Sequence, residues 1–169
     1  MSIATTDRLQ LRELVAGDAE FIFELLNEPG WLRFIGDRGI RTLDDARNYI
    51  AQGPAAMIEK FGYGLWLVQR RDDAVAVGIC GLLKRDTLPD PDIGFAFLAR
   101  YGGQGYALEA ASATMEVARQ RFGLQRLLAT VRPDNAPSIR LLEKIGLRFD
   151  KLMRFGDETP ELALYAWQA

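Results

Sequence analysis

Two short segments carry most of the chemistry open to this sequence. In the first, FAFLARYGGQGYALEA, an apolar run ends in Gly102, Gly103 and Gly105 and passes directly into a helical pattern. Glycines let a backbone approach a ligand closely, and the first amides of a helix have no partner within it. The turn therefore offers N–H donors and a positive dipole end to an anion, and a phosphate-bearing ligand is the natural match. No Lys-Ser/Thr pair follows the glycines as in a Walker A loop, and Leu108 stands where the dinucleotide fingerprint G-x-G-x-x-G needs its last glycine. A bare G-x-G is equally the mark of a tight turn that needs positive φ. In the second segment, PDNAPSIRLLEKIGLRF, Asn135 and Ser138 open a helix that Gly146 ends. Read alone, Asn135 is a helix N-cap and Ser138 a hydrogen-bonder in the first turn.

What the chain lacks narrows the chemistry. It has no histidine, and Cys80 is its one cysteine. Zinc sites of the Cys/His type, Ser-His-Asp or Cys-His catalysis, a histidine pH switch and an intramolecular disulfide are all excluded. With 21 basic and 23 acidic side chains the net charge is -2, so the basic excess of a nucleic-acid-binding surface is missing. The opening MSIATTDRLQ has no basic region followed by an apolar run, and the longest uncharged apolar stretch, residues 74–83, is too short to cross a bilayer. No membrane partner is expected, and the reading places the protein in the cytoplasm.

The elements that position the two segments follow from periodicity and punctuation. The length of 169 residues and 49% hydrophobic content suit one domain over residues 1–169. Residues 7–14 alternate as a half-buried strand. Asp18 then caps a helix that Pro29 and Gly30 stop near Glu28. Residues 29–41 mix glycine, aromatic and charged side chains and read as a packed loop. Thr42 and Asp45 form a capping box for a helix that Gly53-Pro54 breaks, with a second short helix over residues 55–61. Residues 64–69 and 75–83 form a hairpin about Asp72-Asp73, and residues 92–98 a further strand. A helix with a face of small residues covers residues 106–122, and a strand covers 126–131. The Asn135 helix and two last strands, over 147–155 and 161–167, complete the chain. That order describes an α/β or α+β sheet of about seven strands with helices packed on it.

Taken together, in this order and about thirty residues apart, the two segments resemble the GNAT superfamily of acyl-CoA-dependent N-acyltransferases. The family's phosphate loop, Gln/Arg-x-x-Gly-x-Gly/Ala, falls on Arg100, Gly103 and Gly105. Its N-x-x-S/A...L...K-x-G-F/L signature falls on Asn135, Ser138, Leu141, Lys144, Gly146 and Leu147. GYALEA with Glu109, and the opening RLQLRELVAGDA, further resemble the RimJ/RimL branch, which acetylates the N termini of ribosomal proteins. The resemblance covers nearly the whole chain. It implies a mixed, mostly antiparallel central sheet with helices on both faces, whose fourth and fifth strands splay apart to admit acetyl-CoA. It also implies that the backbone of Phe97, Leu98 and Ala99 pairs with the pantetheine arm. The turn of Gly102, Gly103, Gln104, Gly105, Tyr106 and Ala107 would hold the pyrophosphate, with Arg100 adding charge. Asn135 would bond the pantetheine arm, and Ser138 would lie near the thioester sulfur.

The activity so implied is acetyl transfer from acetyl-CoA to a primary amine, on a protein N terminus or a small molecule, by direct attack in a ternary complex. Leu142 stands where many family members carry a tyrosine that protonates the leaving thiolate, so that acid falls to Ser138 or to no protein group. Acetyl transfer to an amine also needs a base. Asp92 is the first choice, because the family arrangement turns the start of its strand toward the splay; a plain strand-edge aspartate in the PDPD turn is the alternative, and Glu24, Glu28 and Asp37 are rivals. Trp31, Phe34, Asp37 and Arg38, with the last hairpin near Phe155 and Tyr165, form the expected acceptor site, or else a lid that only packs over the first helix. A non-catalytic acyl-CoA-binding or sensor module is the competing reading, and a nucleotide-binding domain is a third. A sheet edge able to pair with a second copy leaves a homodimer open.

Overall fold

In the computed structural model, which describes residues 2–169, eight strands form one sheet in the order β1-β2-β3-β4-β5-β6-β8-β7. They are β1 (Ser2–Thr5), β2 (Leu9–Arg12), β3 (Leu65–Arg70), β4 (Ala76–Leu83), β5 (Asp92–Phe97), β6 (Arg126–Val131), β7 (Arg148–Met153) and β8 (Leu162–Gln168). Helices α1 (Ala19–Leu26), α2 (Pro29–Phe34), α3 (Leu43–Ile50) and α4 (Ala56–Phe61) come between β2 and β3. Helix α5 (Tyr106–Gln120) links β5 to β6, and α6 (Ala136–Lys144) links β6 to β7.

The strand β3 shows why the sheet is covered on both sides. Leu65 and Leu67 join a core with Ile22, Leu25 and Leu26 of α1 and Ala46 and Ile50 of α3. Trp66 and Val68, pointing the other way, join a second core with Ala110, Ala111 and Ala118 of α5 and Leu141 and Leu142 of α6. The small residues of α5 let that helix lie close across β4 and β5.

Three sequence expectations are corrected. The strand count is eight, not seven, because Ser2–Thr5 pairs antiparallel with β2 through Ala4↔Leu11 and Thr5↔Gln10. Residues 29–34 are helical: Pro29, read as a stop signal, occupies the first turn, where its missing N–H and fixed φ are harmless. Gly53-Pro54 does not break its helix, because residues 51–55 widen into a π turn that absorbs the missing proline N–H and carries α3 into α4. The Thr42–Asp45 box forms as expected, with Asp45 N–H donating to Thr42 Oγ1 at 3.0 Å and Thr42 N–H donating to Asp45 Oδ2 at 3.0 Å.

The feature that matters for function is the break in pairing between β5 and β6. Strand β4 pairs with β5 at six positions and β6 with β8 at six, yet the parallel β5 and β6 share one pair, Asp92↔Leu128. Leu128 N–H also donates to Pro91 O at 2.9 Å. Beyond that joint the strands diverge, and β5 from Gly94 to Phe97 is only half-buried although it lies inside the sheet.

Close backbone approach locks β4, the strand that flanks β5, against β3. A Cβ on Gly81 of β4 would lie 2.0 Å from Gly64 O, so the strands cannot keep their spacing around a side chain there. Gly81→Ala is expected to lower unfolding free energy by about 2–3 kcal/mol in urea denaturation, as overpacking against backbone does. Gly17→Ala, whose Cβ would meet nothing within 4 Å, should stay within about 0.5 kcal/mol of the parent.

Candidate active site

Between the diverging strands lies a cleft of about 1460 Å³. Its walls include Phe97 and Ala99 at the end of β5, Gly103 and Ala107 at the start of α5, Asn135, Ser138 and Leu142 of the α6 segment, and Asp92 at the joint. Trp31, Phe34 and Arg38 from the segment after α1 close the far side. These eleven residues, all singled out from sequence, thus face one cleft although they are scattered along more than a hundred residues of chain.

The glycine turn is built to present donors. Gly103 and Gly105 have φ of 76° and 81°, the left-handed region that a side chain resists. Among the described residues no acceptor takes the amide hydrogens of residues 103–108, and the first bond of α5 is Glu109 N–H to Gly105 O at 3.1 Å. The amides of the first helical turn are therefore left free at the positive end of the helix dipole. Gly102, Gln104, Gly105 and Tyr106 shape this turn without lining the cleft themselves; the Tyr106 ring is buried.

Sequence reasoning missed what holds the turn. Arg8 donates to Gln104 O at 2.8 Å and to Glu109 Oε1 at 2.8 Å, and its guanidinium covers the Tyr106 ring at 4.7 Å. Glu109 also accepts from Arg8 N–H at 3.0 Å and from the Thr6 hydroxyl. Burial alone would raise Glu109, but these hydrogen bonds outweigh it and hold the carboxyl below its ordinary range. The unexplained acid in GYALEA was the available signal.

Several expected residues lie elsewhere. Arg100 is not on the cleft wall: its guanidinium pairs with Glu24 of α1, which is thereby held below its ordinary pKa. Asp37 faces Arg41, with Oδ2 2.6 Å from Nη2, and also accepts from Gly39 N–H at 2.8 Å. Leu98 is fully buried, and its N–H donates to Val77 O at 2.9 Å within the sheet. Ala99 N–H is taken by Glu28 Oε1 at 2.7 Å. Phe155 lines the cleft, while Tyr165 packs edge-on against Phe149 in the core.

Asp92 is the distinctive group. It is 1% exposed, one oxygen lies 3.2 Å from Arg85 Nη2, and the other, Oδ1, has no hydrogen-bond partner. Burial pushes its carboxyl up to about 6 despite the opposing pull of Arg85. The loop that carries it is stapled by Lys84, whose ammonium donates to Arg85 O and Leu88 O, both at 3.0 Å, and by the Arg126–Asp90 pair at 3.2 Å. Asn135 caps α6, its Oδ1 accepting from Ser138 N–H at 3.4 Å, and the Ser138 hydroxyl makes no hydrogen bond within the described residues. The Cys80 thiol is buried against Thr114 and pushed up to about 12, so it is no nucleophile.

A splayed sheet, free amides at a glycine turn and a buried carboxylate at the joint together define an acyl-CoA transferase site. Comparison with known proteins agrees. The family model of the acetyltransferase (GNAT) domain matches residues 8–148, and the chain belongs to that family. It is 31% identical over 166 residues to the uncharacterized N-acetyltransferase YnaD of Bacillus subtilis, covering 96% of this chain and 94% of that one. Among solved structures it superposes on an acetyltransferase from Agrobacterium tumefaciens with a TM-score of 0.84 at 25% identity, covering 100% of this chain and 95% of the other. A GNAT acetyltransferase from Bacillus anthracis gives 0.82 at 28% identity, with 99% and 98% covered. The RimL acetyltransferase of ribosomal L7/L12, at 17% identity and a TM-score of 0.81 over 99% of this chain and 98% of its own, shares the fold. The protein is an acetyl-CoA-dependent acetyltransferase, and no helix among its described residues is long and apolar enough to cross a membrane.

The raised Asp92 carboxyl makes a stability prediction. The folded state holds this proton more tightly than the unfolded chain, where the ordinary value is 3.8, so Asp92 favours folding below pH 4 and that contribution disappears as pH rises through about 6. Relative to Asp92→Asn, the parent should lose on the order of 3 kcal/mol between pH 4 and pH 7. Denaturant titrations of both proteins at each pH measure the difference.

Proposed function

We propose that the protein acetylates a primary amine, on a protein N terminus or a small molecule, by direct attack on acetyl-CoA in a ternary complex. The observation that carries this reading is Asp92, a buried carboxylate with an unpartnered oxygen on the wall of the cleft. An amine arrives largely as an ammonium and attacks only once it has lost a proton. A carboxylate near 6 accepts that proton at neutral pH and can release it again to water. The bonds then balance: the ammonium's first proton leaves through Asp92 to water, N–C forms, C–S breaks, the second amine proton passes to Asp92 and the thiolate leaves. Among the rivals, Glu24 is committed to Arg100 and Asp37 to Arg41, which leaves Asp92 and Glu28 on the wall.

The free amides of residues 103–108 suit the pyrophosphate of the donor, and the half-buried edge of β5 near Phe97 suits its pantetheine arm. With the Leu98 and Ala99 N–H groups already engaged, acetyl-CoA takes the Ala99 amide only if Glu28 lets it go. Arg100, drawn off by Glu24, plays a smaller part than its place in the loop suggests. Leu142 brings no hydroxyl to the cleft, so Ser138, whose hydroxyl makes no hydrogen bond among the described residues, is the candidate to relay a proton from solvent to the thiolate. The exposed face of β7 and the edge it forms could join a second copy, and a cytoplasmic location fits the reading.

A thermal-shift titration tests donor binding first. At a hundredfold excess over its dissociation constant, acetyl-CoA should add about 2.7 kcal/mol and raise Tm by roughly 5 to 11 °C, with ATP and NAD giving no shift. Binding without turnover on any amine would favour the sensor reading. For catalysis, Asp92→Asn should lower kcat by about 10²- to 10⁴-fold, and the parent kcat should fall as pH drops below about 6. A parent-like kcat in the variant would remove Asp92 from the mechanism.

A further inference from the structure

The chain carries a net charge of -2, yet its cleft wall bears Arg33, Arg38, Arg85, Arg132, Arg140 and Lys144 against only Glu28 and Asp92. Arg132, Arg140 and Lys144 stand at the end of β6 and along α6, beside Asn135 and Ser138, on the side where the donor would lie. Arg33 leans toward the same side through Asp134 at 3.5 Å. Arg38 and Arg85 come from other segments, the turn after α2 and the loop after β4. Both lie close enough to the Tyr49 hydroxyl on the cleft wall to oppose the rise that burial gives it.

Arg85 belongs to a set of unsatisfied buried groups, and the exposed Arg38 stands unpaired on the same cleft wall. Arg38 makes no ion pair and donates no hydrogen bond among the described residues. Arg85 gives Nη2 to Asp92, but its buried Nε–H has no acceptor. The Trp31 indole N–H is likewise buried without an acceptor, and Asp92 Oδ1 is a buried acceptor without a donor. Of the four buried side-chain polar atoms without partners among the described residues, three belong to Trp31, Arg85 and Asp92, residues that line this cleft; the fourth, on Trp66, lies in the core. An unpaired buried polar group costs about 1–3 kcal/mol, so a ligand that supplies the missing partners is strongly favoured.

The missing partners specify a ligand. Asp92 Oδ1 calls for an N–H donor, which an ammonium provides. Arg85 Nε–H and the Trp31 N–H call for an acceptor, and the unpaired Arg38 guanidinium on the same wall favours an anionic one. Resting on the reading of the protein as an amine acetyltransferase, we infer that its acceptor is a small zwitterion, an amine that carries its own carboxylate, such as a free amino acid. A polyamine would place a second cation against Arg38 and Arg85. A protein N terminus would offer them a neutral carbonyl and leave the charge uncompensated.

The test is a thiol-release assay with acetyl-CoA at pH 7.5 on matched pairs, each of the twenty amino acids against its own amide, with spermidine and N-terminal peptides alongside. The expected result is at least one amino acid whose kcat/KM exceeds that of its amide tenfold or more, with spermidine and peptides below both. In Arg38→Gln that ratio should fall toward one through a rise in KM for the amino acid, and Arg38→Lys should restore part of it. Arg38 is exposed and bonds nothing, so these variants keep the fold, which their melting curves check. Amides, peptides or spermidine turned over as well as or better than any amino acid would overturn the zwitterion assignment and leave acetyl transfer standing, as would an unchanged ratio in Arg38→Gln. Turnover of no amine, with acetyl-CoA still raising Tm, would bring down the transferase reading itself and the zwitterion with it.

Discussion

Everything at the site depends on the place where two neighbouring strands stop pairing. A parallel pair inside a sheet normally continues, because each abandoned backbone group must find water or another partner. Here β5 and β6 meet at Asp92 and Leu128 and then separate. The separation leaves one edge of β5 half-buried in the middle of the molecule and opens the cleft between helices that would otherwise pack over a continuous sheet. The two sides stay fixed because each strand is fully paired on its far edge, β5 with β4 and β6 with β8. Without that outer pairing the gap would close or fray.

The joint itself is expensive. It buries a carboxylate with one oxygen unmatched, beside an arginine with one nitrogen unmatched, in a position where water is largely excluded. The ion pair between them recovers part of that cost, and the loop carrying both is pinned by Lys84, by Asp90 with Arg126, and by Leu88 packed against Leu128 and Leu164.

A second constraint operates at the opposite end of the cleft. Free amides at a helix start attract an anion only if the turn before them keeps its shape, and a turn with three glycines is flexible by composition. The ties from Arg8 to Gln104 O and to Glu109 supply that rigidity from the far edge of the sheet. The rigid turn and the splay together place a turn of free amides and a buried carboxylate in one cleft.

The sequence by itself determined most of the elements and marked the glycine turn and the capped helix that face the cleft. Period-2 and helical patterns, the Thr42 box and the glycines at 103, 105 and 146 are local signals, and they mark β3 to β8, α3, α5 and the capped start of α6 near their observed bounds. The family signature added the splay, which no periodicity reveals. Local signals failed where proline and glycine had a second use: Pro29 opens a helix and Pro54 rides in a π turn, and either role depends on what packs around it. Only the tertiary structure decided which charges meet. Arg100 turns to Glu24 and Asp37 to Arg41, while Arg8 finds Glu109 about a hundred residues away. Arg85 and Asp92, separated by an irregular loop, become the ion pair at the joint. Charged side chains are long, carry no periodic signal and choose partners by distance in the folded chain, so their pairing is settled by packing and not by spacing in the sequence.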